Sequence, residues 1–220
     1  MALSKLTYNS LNVTPTASKG IGFDSGADDL AATFSGGSMT FIKKLTSDGS
    51  DDTLSFVDGT SDVVLDNTYK EYLFIFNDIH PESDTQRFTF QGNAAGGSGY
   101  NETITSTAFG TYHFEDGTDA DFSYDTNDDQ AQGTAFQPLT NTIGNGNDEC
   151  GSGYLHLFNP SSTTFVKHWM SSACILHNED LCSTRLNAGY FNTTSAIDEI
   201  QFKLESGEIQ GGTISLYGIN

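Results

Sequence analysis

The feature that most constrains this chain is a hydrophobic pattern with a period of two residues, which runs along most of the sequence. In the segment IDEIQFKLESG, the apolar residues Ile200, Phe202 and Leu204 alternate with polar ones. Successive side chains of a β-strand point to opposite faces, so this pattern is typical of strands with one buried face. We find no helical pattern longer than two turns. The period-two pattern therefore predicts an all-β protein.

About ten segments carry the pattern, and turn-forming residues separate them at the short intervals seen in sandwiches and jelly rolls. We predict a single antiparallel β-sandwich, jelly-roll-like in its strand order. The predicted strands are 38–45, 52–59, 71–79, 87–92, 108–116, 153–160, 163–178, 185–194, 197–207 and 211–220.

Two connections have strong turn signals. The dipeptide Asp48-Gly49 predicts a hairpin between the first two of these strands. The sequence NPSST predicts a second turn, between 153–160 and 163–178.

The last predicted strand should belong to the core. We expect Ile214 and Leu216 on one face of the sheet and Ile219 on the other, all mostly buried. Gly211 and Gly212 should form the turn that returns this strand beside the preceding one.

The segment EYLFIFNDI is apolar on both faces. Tyr72, Phe74 and Phe76 share one face, and Leu73 and Ile75 share the other. A strand of this kind is typical of the centre of a sheet that is covered on both sides, and we predict that position for it.

The domain prediction is an extended N-terminal arm, residues 1–19, followed by a sandwich domain, residues 20–220. The arm is polar and rich in Ser and Thr, so we expect it to pack against a neighbouring subunit or another protein. Residues 115–151 are rich in Gly, Asn and Asp and predict a long surface excursion.

The formal charge is −20, from 29 acidic and 9 basic residues. Nucleic-acid binding requires clustered Lys and Arg, and an anionic membrane repels such a chain, so we predict neither partner. We find no signal peptide and no apolar run long enough to span a membrane, and we expect synthesis in the cytoplasm. The charge suits a salty medium such as seawater, although an ordinary acidic surface is the favoured explanation.

Carboxylates are densest in EDGTDADFSYDTNDDQ, residues 115–130. Asp125, Asn127 and Asp129 match the start of a calcium-binding loop, but the required Gly and the final Glu are missing. A looser calcium site through Asp119 and Asp121 stays open, and the composition favours a solvated acidic loop.

The remaining sequence signals predict no metal site, cofactor site or catalytic residue. His156 and His168 should lie near each other if their strands pair, but a third metal ligand is missing. The sequence contains no nucleophile elbow and no phosphate-binding loop.

The chain contains three cysteines, Cys150, Cys174 and Cys182. The last two are nearly symmetric about HNED, so a hairpin there would place their thiols across from each other. A disulfide bond between them would suit a particle that persists outside cells, whereas free, packed thiols are favoured for a protein made in the cytoplasm.

Several stretches resemble a family of virion proteins from marine tailed bacteriophages, which infect picocyanobacteria and other ocean bacteria. They are NVTPTASKGIGF (12–23), YKEYLFIFNDIHP (69–81), SGYLHLFNPSSTTFVKH (152–168) and the final IDEIQFKLESGEIQGGTISLYGIN (197–220). The ending GGTISLYGIN is the most specific of them. The resemblance implies a β-sandwich displayed on the tail or the capsid of a cyanophage-like virion, and it implies no catalytic residues.

The expected function is therefore a non-catalytic virion structural protein, such as a tail-fibre, appendage or capsid-decoration module, assembled in the host cytoplasm. Its expected partners are other virion proteins and further copies of itself, with a trimer as one arrangement. The alternative is a receptor-binding module in which Tyr100, Tyr124 or Trp169 stacks on host surface glycan, although core packing is favoured for Trp169. A third hypothesis is a polysaccharide-cleaving enzyme, but no specific carboxylate pair supports it.

Overall fold

The computed structural model describes residues 19–23, 30–35 and 38–220, and these residues form fifteen strands and no helix. The strands are β1 Lys19–Phe23, β2 Leu30–Ser35, β3 Met39–Thr46, β4 Leu54–Val57, β5 Glu71–Pro81, β6 Phe88–Ala94, β7 Ile104–Phe114, β8 Ala120–Tyr124, β9 Ala131–Gly133, β10 Gln137–Pro138, β11 Gly151–Phe158, β12 Lys167–His177, β13 Leu181–Phe191, β14 Ile197–Leu204 and β15 Ile209–Ile219.

The chain divides into two compact units, Met1–Thr40 and Phe41–Asn220. In the first unit, β1 and β2 pair as a two-stranded antiparallel sheet. Residues 1–18 of the predicted arm lie outside the described residues. The predicted division between an arm of residues 1–19 and a sandwich of residues 20–220 stays a prediction.

The second unit is a β-sandwich of two antiparallel sheets, which confirms the predicted fold class. The larger sheet has nine strands in the order β3-β15-β5-β11-β12-β13-β7-β8, with β9 also paired to β7. The smaller sheet has four strands in the order β10-β6-β14-β4. The jelly-roll strand order stays a prediction.

Aromatic side chains fill the space between the two sheets. Phe56 of the small sheet packs edge-on against Phe74 of the large sheet, with ring centroids 5.3 Å apart. Phe90 meets Trp169 in the same way at 5.0 Å. All four side chains are fully buried, so Trp169 is a core residue, as the sequence favoured. Each such aromatic buries a large apolar area and contributes several kcal/mol, on the order of 3–5 by truncation to Ala.

The hairpin predicted at Asp48-Gly49 is wrong, because β3 belongs to the large sheet and β4 to the small one. The turn itself forms, with Gly49 at a φ of 93°. The residues before and after this turn both bond to β15 and not to each other. The Ser47 N–H donates to the Gly212 carbonyl at 3.1 Å, and the Ile209 N–H donates to the Asp51 carbonyl at 2.9 Å. After the turn, the chain continues into the small sheet as β4. Dipeptide signals predict a reversal of the chain but not which strand the chain joins after it.

The last strand is a central strand of the large sheet, where β15 lies between β3 and β5. Ile214 and Leu216 are fully buried, as predicted, and Ile219 is only half-buried. The predicted pairing with the preceding strand is wrong, because β14 lies in the small sheet. Gly211 and Gly212 form a bulged part of β15, where the register against β5 shifts, and do not form the turn.

Candidate binding surface

The large sheet has one side that no strand of the second unit, residues 41–220, covers. We call this side the outer face, and three rows of side chains in register define it. The first row is Ile75, Tyr154, Ser172, Leu186, Phe109 and Tyr124; the second is Leu73, His156, Met170, Ala188 and Thr107; the third is Glu71, Phe158, His168, Tyr190 and Thr105.

Apolar side chains on the outer face are open to solvent. Tyr154, Met170, Leu186 and Tyr124 are 45%, 55%, 39% and 51% exposed, respectively. They stand on four different strands, so the exposure is spread across the sheet. A soluble monomer rarely exposes a contiguous apolar area of this kind, and such areas mark binding or assembly surfaces.

The outer face also corrects the prediction that β5 is covered on both sides. Tyr72, Phe74 and Phe76 are fully buried against the small sheet, whereas Leu73 and Ile75 are only half-buried. The alternation therefore predicts correctly which residues of β5 share a face, but the face of Leu73 and Ile75 is part of an open surface.

Charge is nearly absent from the three rows, although the chain as a whole carries −20. Glu71 is their only Asp, Glu, Lys or Arg residue, and its Oε2 lies 3.1 Å from His156 Nε2. The His156 ring in turn packs on the Phe158 ring, with centroids 4.3 Å apart. The outer face thus presents aromatic, aliphatic and hydroxyl groups, and its one carboxylate has a partner.

Two hollows lie on the outer face. One of about 350 Å³ is lined by Phe158, His168, Met170, Tyr190 and other residues. Its floor includes Gly189, where a Cβ would lie 2.6 Å from Trp169 Cζ2. A Cβ at this position would point inward to the buried indole, so only glycine fits there, and its backbone forms part of the hollow's floor.

The second hollow also has a glycine in its floor. It measures about 520 Å³ and is lined by residues including Leu73, Ile75 and Tyr154. Gly153 forms part of its floor, and a Cβ there would lie 2.9 Å from Phe76 Cζ. The linings of both hollows are mainly apolar, which suits apolar side chains better than sugars.

The acidic segment 115–130 does not converge on a common point. Arg185 Nη2 lies 2.6 Å from Asp125 Oδ2 and 3.2 Å from Asp128 Oδ2, and Arg87 Nε lies 3.2 Å from Asp128 Oδ1. Burial acts to raise the pKa of Asp125, but the Asn127 backbone N–H and the Arg185 guanidinium outweigh it, and the pKa is lowered. These two carboxylates serve an ionic cluster that ties the excursion to β13.

Of the remaining candidate calcium ligands of that segment, Asp119 and Asn127 are exposed and Asp129 is half-buried. Asp119 accepts a hydrogen bond from the Tyr112 hydroxyl at 2.9 Å, and Asp129 accepts one from the Tyr124 hydroxyl at 2.6 Å. Asp121 is also exposed. Within the described part of the chain, no three His, Cys, Asp or Glu side chains are grouped so that they could hold a metal ion.

The two histidines considered as metal ligands do lie on paired strands, because β11 and β12 form the predicted hairpin. His156 is opposite Met170, and His168 is opposite Tyr190 on the next strand. Both side chains belong to the outer face, where they are surrounded by aromatic rings.

The thiols of Cys174 and Cys182 meet across the β12–β13 hairpin, with their Sγ atoms 3.6 Å apart. Both residues are free, as expected, but they are exposed and not packed as expected. The third thiol, Cys150, is free and half-buried, and burial raises its pKa.

Of the three aromatics considered for sugar stacking, Trp169 is fully buried and Tyr124 is 51% exposed. The Tyr100 hydroxyl donates to Glu199 Oε2 at 2.8 Å, which holds its ring against the protein. Sequence reasoning missed the outer face itself. The available signal was that several predicted strands are apolar on both faces.

In the described part of the chain, no helix has the length and apolarity needed to cross a membrane. No protein-family model, curated protein sequence or solved structure matches this chain.

Proposed function

We propose that the protein is a non-catalytic structural component of a bacteriophage particle, displayed on the tail or the capsid, and that it joins its neighbours through the outer face. The observation that carries the proposal is the open, nearly uncharged outer face of an otherwise strongly acidic sandwich. Subunit interfaces are depleted of charge and enriched in Tyr, Phe and Met, which is the composition of these rows. The resemblance of several sequence segments to marine phage virion proteins supports the same role.

The positions of the carboxylates support a non-catalytic role. Glycosidases use two carboxyl groups that face one substrate-binding space. Among the described residues, the most buried carboxylate is that of Asp128, which is held between Arg87 and Arg185, where it stabilises the fold. The outer face carries Glu71 and no second carboxylate among its three rows.

A glycan-binding module is the second candidate, and one observation favours it. Tyr124 and Tyr190 both present rings on the outer face, and an exposed ring is a stacking platform for a sugar. Sugar binding also requires polar partners around the ring, and the hollow beside Tyr190 is lined mainly by apolar groups.

The test is to purify particles produced from the genome that encodes the chain, and to locate the chain by mass spectrometry and by electron microscopy with a labelled antibody. We expect it at a fixed position on the tail or the capsid, in a fixed ratio to the other particle proteins. Finding the chain only as free protein in the lysate would overturn the proposal. Binding of the purified chain to a glycan array would instead favour the second candidate.

A further inference from the structure

We propose that the outer face binds the outer face of a second copy of this chain, so that two sandwiches associate sheet against sheet. The inference rests on the proposed structural role of the outer face and names its partner. Three properties of the described residues lead to it: the distribution of charge, the size of the face and its surface shape.

The distribution of charge determines which face two copies can use for contact. Each copy carries −20, and like charges brought together without counter-ions cost several kcal/mol. The three rows of the outer face contain one carboxylate, Glu71, which lies beside His156. At physiological salt, charges more than about 8 Å from the contact are largely screened. The outer face therefore allows a close approach of two acidic molecules.

The outer face is large enough for a specific contact between two copies. Neighbouring strands lie about 4.8 Å apart, and residues on one face of a strand lie about 6.8 Å apart. The sixteen residues of the three rows therefore cover roughly 520 Å² of the sheet plane, so two copies bury about 1,040 Å² between them, just above the roughly 1,000 Å² that a specific interface requires.

The surface of the face has both the projections and the hollows that a self-complementary contact requires. Met170 and Tyr154 project into solvent, being 55% and 45% exposed, and each borders one of the two hollows of about 350 and 520 Å³. A two-fold contact places the same patch on both sides, so each copy must supply both projections and hollows. Two sheets packed in this way lie about 10 Å apart, as the two layers of a sandwich do.

The experiment measures the mass of the full-length chain by sedimentation equilibrium over a wide range of concentration. We expect a monomer–dimer equilibrium between 23.7 kDa and twice that mass. Because the contact is apolar and the molecules repel each other, raising the salt from physiological strength to about 1 M should strengthen the dimer.

Leu186→Asp and Met170→Asp place a carboxylate in the contact, and each should raise the dimer Kd by at least about 100-fold. The matched control is Ser98→Asp, which adds the same charge at an exposed turn after β6 of the small sheet. The control should leave the Kd within about threefold of the wild-type value, because its charge lies on the other sheet and is screened. Equal melting temperatures for the variants and the control show that the fold is unchanged.

A monomer at every concentration, a trimer, or a dimer that Leu186→Asp and Met170→Asp leave unchanged would overturn the pairing. None of these outcomes bears on whether the chain is found in purified particles, so failure of the pairing and failure of the proposed function are separate results. If the Leu186→Asp and Met170→Asp variants lose the dimer but are still found in particles, the pairing occurs in solution and the particle does not require it. That result would confirm the pairing of the two outer faces but not its use in the particle.

Discussion

Arg185 on β13 and Asp128 in the acidic excursion form an ion pair of 3.2 Å in which the carboxylate is 1% exposed. Arg87 completes the cluster from the other side of the same carboxylate, at 3.2 Å. Residues far apart in the sequence are thereby joined, and a segment whose composition suggested a solvated loop is fastened to both sheets.

Asp128→Ala should destabilise the fold by about 1.5–3 kcal/mol, because the largely buried Arg185 keeps only Asp125 as an ionic partner and the half-buried Arg87 keeps only Glu205. The measurement is the free energy of unfolding in urea. The control is Asp121→Ala in the same acidic segment, where the side chain is exposed and the expected change is within about 0.5 kcal/mol. Equal effects of the two substitutions would show that the cluster does not hold the excursion.

His177 should make the stability depend on pH. Its Nδ1 accepts the Glu179 N–H at 3.2 Å, and its Nε2 lies 2.6 Å from the Thr142 hydroxyl, so the neutral ring with its proton on Nε2 satisfies both contacts. Burial lowers the pKa of His177, outweighing the nearby carboxylates that act to raise it.

The sign follows from the lowered pKa. As the pH falls through about 6.5, the unfolded chain takes up a proton at His177 before the folded chain does. The contribution of His177 to stability is therefore complete above that pH and is lost as the pH falls toward the folded-state pKa. Urea unfolding from about pH 7 to about pH 5.5 should show a decline that His177→Gln reduces. The same slope in both proteins would contradict this assignment.

Gly189→Ala should destabilise the sandwich by about 1–3 kcal/mol, because the new methyl group has no space. Its Cβ would lie 2.6 Å from Trp169 Cζ2 and 2.7 Å from the Thr105 carbonyl oxygen. The control is Gly211→Ala in β15, where the nearest atom to the added Cβ is 3.9 Å away. Thermal melting compares the two variants, and a Gly189→Ala protein as stable as the control would refute the steric argument.

The last strand should be indispensable to the large sheet. Deleting residues 213–220 removes the buried Ile214 and Leu216 and leaves β3 and β5 without the strand that pairs with both. We expect no cooperative melting, and aggregation through the opened edges. The milder variant Leu216→Ala should lose about 2–5 kcal/mol, with Asn220→Ala as the exposed control. A soluble truncated chain that melts cooperatively would show that the strand is dispensable.

The period-two pattern was sufficient to predict an all-β sandwich and to assign the faces of individual strands. Tyr72, Phe74 and Phe76 were placed together from the alternation alone, and they are buried together. Alternation reports only which residues share a face of a strand. It does not report which sheet the strand joins, and the pairings predicted for β3 with β4 and for β14 with β15 failed for that reason.

The candidate binding surface was harder to predict, because an apolar face has the same pattern whether a second layer of the fold or another molecule covers it. Leu73 and Ile75 carry that signal, and the pattern alone predicts a second layer over them. The ionic cluster was not predictable, because Asp128 and Arg185 are far apart in the sequence and no local pattern joins them.

The most direct measurement of the central claim is hydroxyl-radical footprinting of the chain in intact particles and after its release from them. Tyr154, Met170 and Leu186 of the outer face are the reporters, and the exposed Phe165 in the loop after β11 is an internal comparison. The account predicts that the three reporters are strongly protected in the particle and become reactive on release. Equal reactivity of all three reporters before and after release would contradict the claim that this face joins the protein to its neighbours.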